Sequence, residues 1–468
     1  MGKTTEVGAK GAEKAKIEKV GKAIVYFRPL DSYNGEFGFD WLREGKGLDN
    51  EPDYESIIES GYKDGNSDYT KEEAYKALIN EYEKTSIWGF KDPYYIPYLN
   101  LFPKTYSDTI TTDPKPPYEA TLYVNVEIKD ADVDEIKFEF NSDIFFINDG
   151  KEYSLPYNSV CSFCTTIKIT CKKDITTDAE GEILVYTYPK GSKSKSKAEQ
   201  AFIRNLAGKL IVCKNDVMNR KEAKFVFVRV ITQFDNNIIN RRKGTFNTNE
   251  KKNFYNTLYQ SLIVPTIAEQ RKTGILGTLL NLFTDNDNDI ELDLSTNSCF
   301  KEENNIYVNN GNLKSNYDIH SDYYGMSFGG PCNLNKYLRE CFFDFTKYPD
   351  NKKFEKYFPV FVFEENAINQ NIEGQIEAGS NGEFQKCLVL FFANGRDAYT
   401  LNHESLHGFK LRHTHRESNE IFIKAKEKKY VYPHASVDLV NSTDNVMSYR
   451  EIAYTTWHWQ WQIIRENL

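Results

Sequence analysis

Three observations predict a multidomain fold, with an N-terminal α/β region, a β-sandwich in the middle and an α+β domain at the C-terminus. Prolines at positions 93, 97, 103, 114, 116 and 117 interrupt regular structure and mark a boundary near Pro117. From there to about residue 222, short alternating runs follow one another, the pattern of packed sheets. From about Lys224 a run apolar on both faces leads into an amphipathic helix, which opens a unit of another kind. The expected layout is a charged tail (1–22), an accessory α/β domain (23–117), a sandwich (118–222) and a C-terminal domain (223–468).

Composition limits what such a chain does. It has 468 residues, 40% hydrophobic and 14% aromatic, with 59 basic against 68 acidic side chains, enough apolar material for several cores. A net charge of −9 with no dense basic run lacks the footprint that a phosphate backbone demands, so nucleic acid is not an expected partner. The longest apolar runs, at 388–393 and 275–283, fall short of the ~18 residues a membrane span needs. The tail carries Lys3, Lys10, Lys14, Lys16, Lys19 and Lys22 without the apolar segment of a secretory signal. The chain therefore either stays inside the cell or leaves by a route that uses no cleaved signal.

In the N-terminal region, residues 24–27 read as a short strand and 33–41 as a glycine-punctuated aromatic cluster. A helix is expected over 70–83, where Thr70 and Glu73 form a capping-box pair and Ala74, Leu78 and Tyr82 recur every four residues. In the middle domain Leu122, Val124, Val126 and Ile128 alternate with polar residues, as do Ile136, Phe138 and Phe140, then Ile167, Ile169 and Cys171. With 183–188 and 209–213 they make the strand series of an Ig-like β-sandwich. The Lys/Ser insert at 191–197 reads as a solvated loop. In the C-terminal domain a strand at 225–230 precedes a helix from Asn249 with Phe254, Leu258 and Leu262 in register. Further strands are expected at 360–363 and 387–392, and a closing helix at 456–467 with Trp457, Trp461 and Ile464 on one face.

Weaker signals compete for attention. Cys161-x-x-Cys164 with Cys171 and Cys213 offers a four-thiolate zinc site, against the common burial of free thiols in strands. Asp285, Asp287, Asp289, Glu291 and Asp293 alternate as in a Ca²⁺ loop, but Ile290 and Thr296 stand where that loop needs Gly and Glu. A solvated acidic loop is the expectation there. No dinucleotide, phosphate-loop or nucleophile-elbow motif is present, and His320 and His458 read as structural.

Four of the seven histidines fall between 403 and 415. On a helix His403 and His407 project from one face a turn apart, so both imidazoles can reach one zinc ion. Glu404, offset from that face, is positioned to take a proton from water at the metal and pass it to a leaving amine. A catalytic zinc site usually has a third protein ligand. His413 is the leading candidate, reachable if the chain leaves the helix soon after His407 and folds back; His415, His434 and Glu420 compete.

The motif His403-Glu404-x-x-His407-x-x-Lys410-x-x-His413 resembles the extended zinc motif of the metzincin metallopeptidases, and Leu411-Arg-His-Thr414 is similar to its pappalysin-like branch. Asn445-Val-Met447-Ser-Tyr449 resembles the Met-turn of the same clan. The resemblance covers residues 223–468, with its specific motifs from 403 onward. It implies a zinc endopeptidase acting on a protein or peptide substrate, with Met447 as a hydrophobic floor beneath the metal and Tyr449 as a stabiliser of the oxyanion; a phenol is a suitable donor to that charge. One departure stands out, because the family has Gly where this chain has Lys410. That position usually turns left-handed, at a cost of roughly 1 kcal/mol for a residue with a Cβ, which leaves open a turn centred on Gly408 and another third ligand.

The strand at 387–392 is either the edge that pairs with an extended substrate or an ordinary central strand. Residues 35–43 resemble N-terminal segments of proteins exported by bacterial type VI-like secretion systems, which implies a secreted effector with a secretion-machinery partner for the N-terminal domains. The reading from a different class is a non-enzymatic exported binding or secretion-apparatus protein with a vestigial or structural metal site. Lys410 favours it, and Glu404 argues against it.

Overall fold

The structure, a computed structural model, describes residues 21–45, 53–63, 68–129, 133–148, 154–156, 163–235, 237–268, 290–316, 333–379, 383–392, 395–416, 429–438, 441–450 and 453–468. Its N-terminal part includes, in chain order, the strands β1 (Ala23–Pro29), β2 (Gly38–Asp40), β3 (Ser60–Tyr62) and β4 (Tyr98–Asn100). There follow β5 (Glu119–Ile128), β6 (Val133–Phe140), β7 (Phe145–Ile147), β8 (Ser154–Pro156), β9 (Phe163–Cys171), β10 (Glu182–Pro189) and β11 (Asn205–Val212). One antiparallel sheet runs β1-β5-β9-β7 and a second runs β8-β6-β10-β11-β4-β2. Strict alternation in β5, buried at every second residue from Ala120 to Ile128, turns one face inward. Both sheets contribute to one core, which holds Val25, Phe27, Leu122, Val124, Ile136, Ile183 and Leu210.

These pairings change the expected domain layout. β1 lies antiparallel on β5, and β4 lies parallel to β11, so a boundary at Pro117 falls between partners in the same sheets. The prolines interrupt local structure, but the strands before them complete the two sheets. Residues 23–117 are therefore not a separate unit. The aromatic cluster is interior too: Tyr33, Phe37, Phe39 and Trp41 are core residues, and Asp40 and Arg43 are fully buried. Exposure to a loading partner is not what this segment offers. The capping box at Thr70 and Glu73 is present, on a helix α1 that spans Lys71–Ile79 and ends before Tyr82.

The C-terminal part is built on β12 (Lys221–Thr232), β13 (Arg242–Lys243), helix α2 (Thr248–Tyr259), β14 (Ile263–Ala268), β15 (Ile290–Asp293), helix α3 (Leu334–Phe342), β16 (Phe358–Val362), β17 (Gly374–Ala378) and β18 (Phe384–Leu390). Helix α4 (Thr400–Gly408), β19 (Tyr430–Val431) and helix α5 (His458–Glu466) follow. The sheet order is β13-β12-β16-β18-β17, with β14 and β15 also parallel to β12. β12, β16 and β18 are parallel and β17 is antiparallel at the edge. The two apolar faces of β12 serve two cores: Phe225 and Phe227 pack with Phe254 of α2 and Leu406 of α4, while Val226, Val228 and Val230 pack with Leu334 and Leu338 of α3.

The core under α4 also contains Ile24, Tyr26, Tyr54 and Leu78 from the chain's beginning and Trp457 and Trp461 from its end. β3 pairs with β19. Asp40 accepts hydrogen bonds from Tyr82 Oη and from the backbone N–H of His458, the first residue of α5, both at 2.9 Å. Arg43 joins Asp40 at 2.8 Å and Asp444 at 3.5 Å. Burial raises the Asp40 carboxyl, with the Arg43 charge opposing. No helix among the described residues is long and apolar enough to cross a membrane.

Candidate metal centre

α4 begins after a turn in which Asp397 Oδ1 accepts from Tyr399 N–H, while Glu373 accepts from Asp397 N–H and Thr400 Oγ1. Leu401 and Leu406 anchor its inner face in the core. Its back rests on α2, where Asn402 Nδ2 donates to Thr257 Oγ1 at 3.0 Å and Arg396 forms a fully buried two-bond pair with Glu250. These props have no local signature, because each joins positions about 145 residues apart.

The helix ends in a Schellman motif: Leu411 N–H reaches Leu406 O at 3.1 Å and Lys410 N–H reaches His407 O at 2.8 Å, with Leu406 and Leu411 in the same core. Lys410 takes the left-handed conformation, φ 72°. The turn thus occurs at Lys410 and not at Gly408, which is the last helical residue. The Lys410 ammonium donates to the carbonyl of Phe384. Turned back in this way, the chain brings His413 Nε2 to 2.8 Å from His403 Nε2 and 2.9 Å from His407 Nε2.

Backbone carbonyls fix the tautomers of the first two rings. His403 Nδ1 lies 2.9 Å from Val446 O and His407 Nδ1 lies 2.7 Å from Leu411 O, so each Nδ1 carries a proton and each Nε2 keeps its lone pair. Burial pushes His403 down to about 4 and His407 well below its ordinary value, so both rings are neutral at pH 7. Two lone pairs therefore face His413 Nε2, which has at most one proton to share. Three converging imidazole nitrogens of this kind fit a divalent cation such as Zn²⁺. Among the described residues this is the one group of three or more His, Cys, Asp or Glu side chains whose ligand atoms come so close.

The other candidates fall elsewhere. His415 stacks on His413 with ring centres 5.0 Å apart, and His434 lies 4.0 Å beyond His415. His434 Nδ1 accepts the Ser436 N–H at 3.0 Å, so its ring has the opposite tautomer and presents Nε2–H. Glu420 and Cys161 lie outside the described residues, as do Asp285, Asp287 and Asp289. Glu291 and Asp293 are paired to Lys243 and Arg241. Cys171 is buried in the sandwich, its thiol pushed up to about 12 by burial.

The segment after Asn445 supports the histidines from below. Asn445 accepts from Met447 N–H and exchanges amide hydrogen bonds with Gln460 of α5. Val446 O holds His403, and Met447 O accepts Thr414 N–H at 3.0 Å, next to His413. Met447 is fully buried in the α4 core. Tyr449, at φ 60° and 52% exposed, lays its ring 4.9 Å from His403 and 4.5 Å from His413.

Glu404 is half-buried, and burial raises its carboxyl to about 7 against the pull of a hydrogen bond from the Ile376 backbone. β17 passes over it so closely that a Cβ on Gly374 would lie 2.8 Å from both Glu404 Cγ and Thr400 Cγ2. β17 is also the edge strand. β18, which contains most of the 387–392 run, is flanked on both sides and is central. The short GQIEA stretch of β17 has only Ile376 as a large apolar residue, too little pattern to read as a strand. Compared with known proteins, the chain matches no family model, no curated protein and no solved structure.

Proposed function

We propose that the chain is a zinc-dependent endopeptidase of metzincin-like type. The observation that carries this reading is the convergence of three Nε2 atoms, two of them held as lone-pair donors by backbone carbonyls. Bound by His403, His407 and His413, a zinc ion supplies Lewis acidity to a peptide carbonyl and to water. Val446 O and Leu411 O keep the two helix imidazoles oriented for it. Glu404 takes the proton of the attacking water and returns it to the departing amine, and its raised carboxyl suits an exchange near neutral pH. Tyr449, exposed above the histidines, donates its phenolic hydrogen to the oxygen that gains negative charge. The edge strand β17, beside Glu404, offers its backbone to an extended peptide.

Elemental analysis of untagged protein tests the metal, and a panel of quenched-fluorescence peptides tests the reaction. About one zinc per chain is expected, lost in His413→Ala. Glu404→Ala is expected to keep the zinc and lose at least about 10²-fold in kcat. An active Glu404→Ala protein would falsify the mechanism. Zinc that binds in a wild type with no cleavage of any peptide would favour the reading as a binding or structural component.

A further inference from the structure

β17 leaves Glu404 at Gly374 and Ile376 and reaches the hairpin end where Ala378 pairs with Phe384. Three cations gather there. The Phe384 ring lies 4.6 Å from the ring of His407, and the Arg412 guanidinium sits 4.1 Å over the other partner of that contact, Phe384. The Lys410 ammonium is held on the Phe384 carbonyl. Lys386, two residues along β18 and exposed, has its ammonium 5.8 Å from the centre of the Phe409 ring.

Among the described residues neither Lys386 nor Lys410 has a carboxylate partner, and the two charges oppose one another. The acid on β17 itself, Glu377, is taken up by Arg339 through two bonds of 2.8 and 3.0 Å. Like charges held near one another cost stability, and an anion from outside relieves that cost. A carboxylate side chain is such an anion, and ammonium groups beside a peptide track are receptors for it.

We propose that this basic rim selects peptides with acidic side chains on the His407 side of the site, where an extended chain along β17 passes Phe384. The inference rests on the peptidase reading for the cleavage of such peptides, but the binding preference stands on the rim itself. The test uses fluorescein-labelled peptides that differ only in Glu, Gln or Lys at the flanking positions. Their binding to the zinc-loaded Glu404→Ala chain is followed by anisotropy, and their cleavage is followed with the wild type.

The Glu peptide is expected to bind about tenfold more tightly than the Gln peptide, with the gap closing as salt rises. Lys386→Gln narrows the gap, and Lys386→Glu moves the preference toward the Lys peptide. Equal binding of Glu and Gln peptides, or an order that Lys386→Glu leaves unaltered, overturns the proposal. A Glu preference in binding with no cleavage by the wild type overturns the peptidase reading alone and leaves the acidic-peptide groove in place.

Discussion

The sandwich core and the core beneath the histidines are assembled differently. The first draws its buried residues from positions 23–212, most of them on strands whose partners lie in the same two sheets. The second gathers Ile24, Tyr54, Leu78, Phe225, Leu406, Met447 and Trp461, which span almost the whole chain. β1 is the wall between them, with Val25 and Phe27 turned to the sandwich and Ile24 and Tyr26 to the site core. Damage to the sandwich should therefore lower stability while sparing the histidine cluster, whereas damage to distant N-terminal residues should reach it.

The sharpest way to break that contrast is at Arg43, which is fully buried between Asp40 of β2 and Asp444, one residue before the Asn445 turn. Arg43→Met leaves two carboxylates without their cation, a change that costs about 3–5 kcal/mol. The expected result is a lower Tm together with faster loss of zinc to a chelator, measured by thermal melting and metal release. An unchanged release rate would mean that the N-terminal region does not hold the site.

Leu122→Ala in β5 is the matching change in the sandwich. The side chain is fully buried, and its truncation is expected to cost about 2–5 kcal/mol. Zinc content and release should match the wild type below the melting transition. Loss of metal in the folded Leu122→Ala protein would join the two cores into a single cooperative unit and erase the distinction.

Part of this contrast is legible in the amino-acid sequence. The alternation of Leu122, Val124, Val126 and Ile128 is the burial pattern of β5, because a strand with one wet face records its orientation in every second residue. His403, Glu404 and His407 were legible because helical spacing alone sets their relative positions. The role of β1 was not, because it is buried on both faces and leaves no alternation, and its partner β5 begins about ninety residues on. β17 was too short and too polar to register. The rim of Lys386, Lys410 and Arg412 is illegible for another reason: its members come from β18 and from the turn after α4, and only the fold brings Lys410 and Arg412 to Phe384 and Lys386 over Phe409.

Lys410 gives the smallest effect and the finest comparison, between the backbone that makes the turn and the side chain that decorates it. Lys410→Ala removes the ammonium and its bond to Phe384 O but keeps a Cβ at φ 72°. Lys410→Gly removes both the ammonium and the Cβ, so the difference between the two variants isolates the left-handed strain. The Gly variant is expected to be more stable than the Ala variant by about 1 kcal/mol, read from denaturant midpoints at constant m. Both should retain zinc, because the two backbone hydrogen bonds that reverse the chain toward His413 involve no side chain of residue 410. If Ala proved the more stable of the two, the chain would have to turn somewhere other than Lys410, and His413 would lose its claim as the third ligand.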